Sequence, residues 1–171
     1  SDEINTDEHE SSATFSEDGQ VMYFDRNSEK RVKNEEGIRV GHIKIFRAEM
    51  VDGEWDNIEA LPFTSDEYST EHPSLSADGS KLYFASDMPG SEGSFDIYVV
   101  DVNEDGTYGE PENLGTGVNT PHREQFPYIS EEGVLYFASD GHQGFGNLDV
   151  FRAEGDFAEV QNLGNTVNSG H

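Results

Sequence analysis

The chain has 171 residues, with 36 Asp and Glu against 10 Lys and Arg, a formal net charge of −26 and a pI near 4.2. Phosphate backbones and anionic lipid headgroups are bound through Lys and Arg, so neither nucleic acid nor a membrane surface is expected as a partner. There is no cysteine, which removes disulfides, thiolate metal sites and cysteine nucleophiles, and the longest apolar run, at 134–138, is too short to cross a bilayer. A hydrophobic content of 33% and a mean hydropathy of −0.74 would fit a disordered chain, but the 11% of aromatic residues fall in short, regularly placed clusters able to form a core. The acidity fits either a well-solvated surface or the attraction of cations or a basic partner, and the spread of the acids along the chain favours the former.

In chain order, a first strand is predicted at ATFS (13–16), followed by a turn at Asp18-Gly19 and an aromatic pair at Tyr23-Phe24. A charged insertion, 27–40, carries four of the ten basic residues (Lys30, Arg31, Lys33 and Arg39), with Arg26 just ahead of it; a third strand follows at HIKIFRAE (42–49) and a fourth between Trp55 and Leu61. The pattern then restarts. HPSLS (72–76), Asp78-Gly79, Tyr83-Phe84, FDIYVVD (95–101) and Tyr108 to Leu114 repeat it, and FPYIS (126–130), Tyr136-Phe137, LDVFRAE (148–154) and Phe157 to Leu163 repeat it again. The Tyr of the aromatic pair advances by 60 and 53 residues, and the third-strand aromatic (Phe46, Tyr98, Phe151) by 52 and 53. Both central strands are apolar on consecutive residues, which predicts that each sheet is covered on both faces. Asp-Gly between apolar runs supplies the positive backbone angles of tight hairpins.

Four-stranded sheets recurring at this interval are propeller blades, so the expected fold is all-β, with three blades of four antiparallel strands in units of about 9–64, 65–117 and 118–171. Propellers typically close with about four to eight blades. Three units are therefore expected to be part of a ring, completed by further blades or by a second copy in a homodimer.

The segments SLSADGSKLYFASD (74–87), YGEPENLGTGVNT (108–120), LYFASDGHQGFGNLDVF (135–151) and NLGNTVNS (162–169) resemble TolB-type, WD40-like propeller repeats of bacterial cell-envelope proteins. More narrowly, they resemble the propeller of Bacteroidetes OmpA-family proteins, among them an envelope component of the type IX secretion and gliding machinery. The resemblance covers nearly the whole chain and is tightest in the second and third units. It implies an exported protein, periplasmic or associated with the outer membrane, with helical repeats before the propeller and a peptidoglycan-binding domain after it. Neither flanking domain lies in these residues, so no peptidoglycan contact is carried over. The first unit departs from the pattern, with Lys44 where the others have Asp96 and Asp149.

Several constellations bear on chemistry. Residues 101–112 have the spacing of a twelve-residue calcium loop, with Asp101, Asn103, Asp105, the carbonyl of Thr107 and Glu112 as ligands and Gly106 at the turn. The competing reading is a polar hairpin tip whose Asp and Asn cap turn amides. Asp96 and Asp149 could form an acid and base pair, but their recurrence puts them on separate sheets, where each is expected to fix a Gly-rich loop by accepting backbone N–H bonds. The turn motif is similar to that of sialidase propellers, without an arginine cluster for a substrate carboxylate. His9, His42, His72, His122, His142 and His171 show no metal-binding spacing. No nucleophile elbow, phosphate loop or dinucleotide fingerprint is present.

The leading expectation is a non-enzymatic scaffold without a cofactor, binding a protein partner in the cell envelope through the loops that hold His142, Phe145 and Asn147 and the first-unit insertion. The alternatives are a calcium-binding propeller module and a fragment of a glycan- or peptide-acting propeller enzyme.

Overall fold

A computed structural model describes residues 4, 6, 8–34 and 36–170. It contains strands and turns and, among the described residues, no helix. The first sheet is β1 (Glu10–Phe15), β2 (Val21–Lys33), β3 (Arg39–Val51) and β4 (Glu54–Ala60). The second is β5 (Thr70–Leu75), β6 (Lys81–Ser86), β7 (Asp96–Asp101) and β8 (Glu112–Asn113), and the third is β9 (Glu124–Ile129), β10 (Leu135–Ser139), β11 (Asp149–Ala153) and β12 (Val160–Asn162). Each is a four-stranded antiparallel meander in sequence order. These are propeller blades.

The register follows from the aromatic pairs. Phe24 lies opposite Phe46, Phe84 opposite Tyr98 and Phe137 opposite Phe151, and the rings stack at 5.7, 5.9 and 5.9 Å. In the first and second blades the neighbouring residue of the second strand faces the other way, onto the next sheet. Tyr23 meets Tyr108 edge-on at 6.5 Å, and Tyr83 meets Phe157 edge-on at 6.2 Å. Tyr23, Ile45 and Leu61 of the first blade thus share a core with Leu82, Phe84, Tyr98 and Val100 of the second. Tyr83, Ala85, Ile97 and Val118 of the second do the same with Leu135, Phe137, Phe151 and Ala153 of the third.

Burial on both faces holds where it is physically supplied. Residues 82–86 of the middle sheet are buried without interruption. In the first sheet, 22–25 are also buried, because Ile4 packs on the outer face and the Arg26 guanidinium lies 5.1 and 5.0 Å from the Phe24 and Phe46 rings. In the third, β10 and β11 alternate between buried and half-buried, since one face meets the second blade and the other meets no sheet of the described residues.

The turns differ in detail from the expectation. Only the glycines, Gly19 and Gly79, take positive φ, at 67° and 71°; the aspartates accept hydrogen bonds instead. Asp18 Oδ1 accepts from Ser16 Oγ (2.6 Å) and Gln20 N (3.0 Å), and Asp78 Oδ1 from Ser76 Oγ (2.7 Å) and Ser80 N (3.1 Å). With Gly19 N bonded to Ser16 O, the turn spans four residues, so the Asp sits in the right-handed part and the Gly closes the hairpin. The insertion extends the β2–β3 ladder, which resumes beyond an irregularity at Arg31 opposite Gly41.

Phe84 has no exposed surface and stacks on both Phe63 and Tyr98. Phe84→Ala is expected to destabilise the chain by about 3–5 kcal/mol, read as a lower urea midpoint in equilibrium unfolding.

Candidate functional site

The inner strands β1, β5 and β9 each carry a bulge: the register slips between Glu10 and Ala13, between Glu71 and Ser74, and opposite Tyr136 and Ala138. In the second and third blades the bulge puts a non-glycine residue in the left-handed region, His72 at φ 56° and Phe126 at φ 54°, and their rings lie 3.9 Å apart across the seam. Such strain is retained where the surroundings over-determine it. Here they do: His72 N donates to Asp25 Oδ2 (2.8 Å), Gln125 Nε2 donates to Glu71 Oε1, and Asp25 and Glu71 are both nearly sealed from solvent.

These groups titrate abnormally for physical reasons. Burial is the main cause pushing Glu71 from its ordinary 4.5 up to about 7, with the charges of Asp25 and Asp87 adding to it against the Gln125 hydrogen bond. Burial raises Asp25 as well, opposed by the His72 amide. Burial pushes His72 from 6.5 down to about 4, so its ring is neutral at pH 7; Nδ1 lies 3.6 Å from Glu71 Oε1, too far for a hydrogen bond.

The predicted residues divide clearly. Asp96 Oδ2 accepts from Glu92 N (2.7 Å) and Asn113 Nδ2 (2.7 Å), and Oδ1 from Gly93 N (3.0 Å). Asp149 Oδ2 accepts from Phe145 N and from Gly146 N (3.3 Å). Both are buried, on different sheets, and each pins the loop before its own strand. A Cβ at Gly93 would collide with the His122 carbonyl, and one at Gly144 with the Asp149 carboxylate, which accounts for the glycines.

Two asparagine pairs complete the same device, and the sequence reading passed over them. Asn119 Oδ1 accepts from Ile97 N (2.7 Å) while its Nδ2 donates to Ile97 O (3.0 Å) and Asn113 Oδ1 (2.8 Å). Asn168 does the same to Val150 (2.7 and 3.0 Å) and Asn162 (2.9 Å). The signal was present as NLGTGVN (113–119) and NLGNTVN (162–168). In the first blade the corresponding residues are Ala60 and Asp66, and the clamp becomes ionic. Asp66 pairs with Lys30 (2.5 Å) and with Lys44 (2.6 Å), which together hold its carboxyl well below the ordinary range. Lys44 and Asp66 thus depart from the repeat together.

The loop at 101–112 does not gather its oxygens on one point. Asp101 pairs with Lys81 (2.6 Å), Asp105 Oδ1 accepts from Thr107 N (3.0 Å) and Thr107 Oγ1 (2.6 Å), Asn103 Nδ2 donates to Thr107 Oγ1 (2.9 Å), and the Thr107 carbonyl accepts from Asn103 N (2.9 Å). Glu112 is exposed in β8. Among the described residues no group of three or more His, Asp or Glu is placed to hold a metal ion.

His142 is turned inward, with Nε2 2.7 Å from Val118 O and its ring against Phe137 and Phe151 at 5.9 and 5.2 Å. It wedges the second and third blades together, whereas Phe145 and Asn147 of the same loop are exposed. His9 and His122 are exposed, His42 is half-buried near Ser69 Oγ (3.4 Å), and His171 lies outside the described residues.

No protein-family model matches the chain, and no curated protein matches it. Among solved structures it superposes on a puromycin-hydrolyzing peptidase of Mycobacterium tuberculosis with a TM-score of 0.56 and 18% identity, over 92% of this chain and 23% of the peptidase. A putative TolB from Agrobacterium tumefaciens gives 0.49 and 18%, over 90% of this chain and 64% of that one. A thermostable family-43 glycoside hydrolase gives 0.49 and 14%, over 96% and 59%. The chain therefore spans less than two thirds of each, and at such identities the likeness is one of fold.

Because Glu71 has a raised pKa in the fold, the folded chain holds a proton that the unfolded chain releases between about pH 4.5 and 7. Its stabilising effect is complete below pH 4.5 and is lost as pH rises through 7; His72 works the other way, costing stability as pH falls from 6.5 to 4. Glu71→Gln is expected to gain on the order of 3 kcal/mol relative to wild type on going from pH 4.5 to 8, measured by urea unfolding across that range. Asp96→Ala, which strands two amides and Asn113, is expected to cost about 2–4 kcal/mol in the same assay.

Proposed function

We propose that this chain is a propeller segment acting as a non-enzymatic protein-interaction scaffold in the bacterial cell envelope. The observation that carries the reading is the loop at 140–148. Its backbone is pinned through Phe145 and Gly146 to the buried Asp149, and its root is wedged by His142, yet Phe145 is 52% and Leu148 37% exposed. Val167, 58% exposed, extends the apolar surface at the same end of the sheets. Apolar side chains held on a fixed backbone lose little freedom on binding, which favours a docking surface. Asp96 and Asp149, the acids that recur between blades, are occupied in holding loops, in keeping with a framework role.

The envelope setting rests on the resemblance of the repeats to the propellers of OmpA-family envelope proteins, which also suggests a periplasmic or outer-membrane-associated protein. The partner surface is Phe145, Leu148 and Asn147, with His142 supporting it from within.

The test is affinity capture of envelope proteins by the purified chain, comparing wild type with a Phe145→Ser, Leu148→Ser variant. Loss of a specific captured protein, with a melting temperature within about 2 °C of wild type, is the expected result. Undiminished capture, or a hydrolase activity abolished by Asp149→Ala, would overturn the reading.

A further inference from the structure

The opposite end of the sheets carries a second surface of different chemistry. In an antiparallel meander that restarts three times, the first turn of every blade falls at one end, so Ser16–Gly19, Ser76–Gly79 and Ser130–Gly133 lie together, away from the 140–148 loop. The last residues of the three inner strands hold the same register position: Phe15 opposite Met22, Leu75 opposite Leu82 and Ile129 opposite Leu135. They floor a groove of about 400 Å³, with Tyr128 on its wall and Glu17 and Glu131 on its rim.

Two features of the groove go beyond the contacts that close the seams. The seams between inner strands are closed by small hydroxyls, with Leu75 N donating to Thr14 Oγ1 (3.2 Å) and Ile129 N to Ser74 Oγ (3.1 Å). At the same position the third blade has Tyr128, which is 59% exposed. At the strand end, where the other blades place a more covered Leu75 and Ile129, the first blade places Phe15, 52% exposed. The groove thus carries two large, half-exposed rings beyond the seam contacts, Phe15 propped on Trp55 (5.9 Å) and Tyr128 on Tyr136 (6.2 Å). Its carboxylates are also uncommitted: Asp18 and Asp78 are consumed in their turns, but Glu17 and Glu131 form no ion pair among the described residues.

We propose that this groove binds a basic segment of a protein partner, in which Lys or Arg flanks an apolar side chain. Aromatic faces attract ammonium and guanidinium groups, carboxylates on the rim form charge-assisted hydrogen bonds to them, and the apolar floor takes the neighbouring side chain. The field of a −26 chain brings cations to the groove and turns anionic peptides away. The site is separate from the 140–148 loop and stands or falls independently of it.

The probe is a fluorescent pentapeptide of phenylalanine with two lysines on each side, titrated by anisotropy at about 0.15 M salt. Controls are the same peptide with serine for phenylalanine and a glutamate-flanked version. Saturable binding is expected for the first, weaker binding for the second and none for the third. Phe15→Ser with Tyr128→Ser is expected to weaken binding about tenfold, with a small fall in melting temperature from the lost contacts to Trp55 and Tyr136 that leaves the chain folded at the assay temperature. Glu17→Gln with Glu131→Gln is expected to weaken binding and flatten its salt dependence. Glu29→Gln with Glu36→Gln removes the same charge at the far end of the first sheet and is expected to leave binding near wild type. If that remote pair weakens binding as much as the groove pair, or the serine variants bind as tightly as wild type, the attraction is that of the whole acidic chain and the proposal fails. Capture through the 140–148 loop is unaffected by the groove variants, so the two readings fail separately.

Discussion

The stacked aromatic pair across the second and third strands of each blade is the contact on which the rest of the structure depends. Phe24 on Phe46, Phe84 on Tyr98 and Phe137 on Phe151 turn one face of each sheet into a broad apolar surface that must be covered. In the second and third blades the preceding blade covers it, through Leu61 and Phe63 in one seam and Val118 in the other. In the first blade Ile4 and the Arg26 guanidinium do so. Since the residues on either side of the pair point the other way, satisfying one face of a sheet commits its other face to the next sheet, and stacking follows.

Stacked sheets leave the loops between them as the variable part, and the chain controls them with buried carboxylates and amides. A carboxylate that accepts two backbone N–H bonds and a side-chain amide is a strong anchor when dry, because nothing competes for its oxygens. Asp96 with Asn113 and Asn119 shows this in full. The first blade reaches the same end by another route, with Lys44 and Lys30 on Asp66, where water still reaches the pair and ionic contact tolerates looser geometry. That exchange goes with the long β2–β3 hairpin, whose Lys30 supplies one of the two cations.

The large negative charge sits mostly on exposed positions, where solvent and salt screen it. At the inner strands burial alters protonation: Glu71 and Asp25 lie close enough, and dry enough, for the proton to be retained more readily than in water. Both seams are therefore sensitive to pH at their inner strands, through Asp25 and His72 between the first and second blades and through Glu71 and Gln125 between the second and third. At the turn end, exposed Glu17 and Glu131 around Phe15 and Tyr128 give the same acidity a directional use.

The sequence by itself determined the repeat, the four strands of each unit, the hairpin glycines and the structural role of Asp96 and Asp149. All of these are local: a strand's apolar pattern, a Gly needing positive φ and an Asp within four residues of the amides it accepts can be recognised along a short stretch of chain. The clamp asparagines were equally local and were written twice, as NLGTGVN and NLGNTVN. Only the tertiary structure decided what depends on contacts between blades. Gln125 meets Glu71 across 54 residues and His72 meets Asp25 across 47, so the seam cluster has no signature in either segment. His142 turns inward because Val118 of the preceding linker offers a carbonyl and two rings give it a pocket, and neither partner is visible from SDGHQGFG alone. The groove of Phe15 and Tyr128 forms for the same reason. Three inner strands must be set side by side before Phe15 and Glu17 of the first blade and Tyr128 and Glu131 of the third become a single surface.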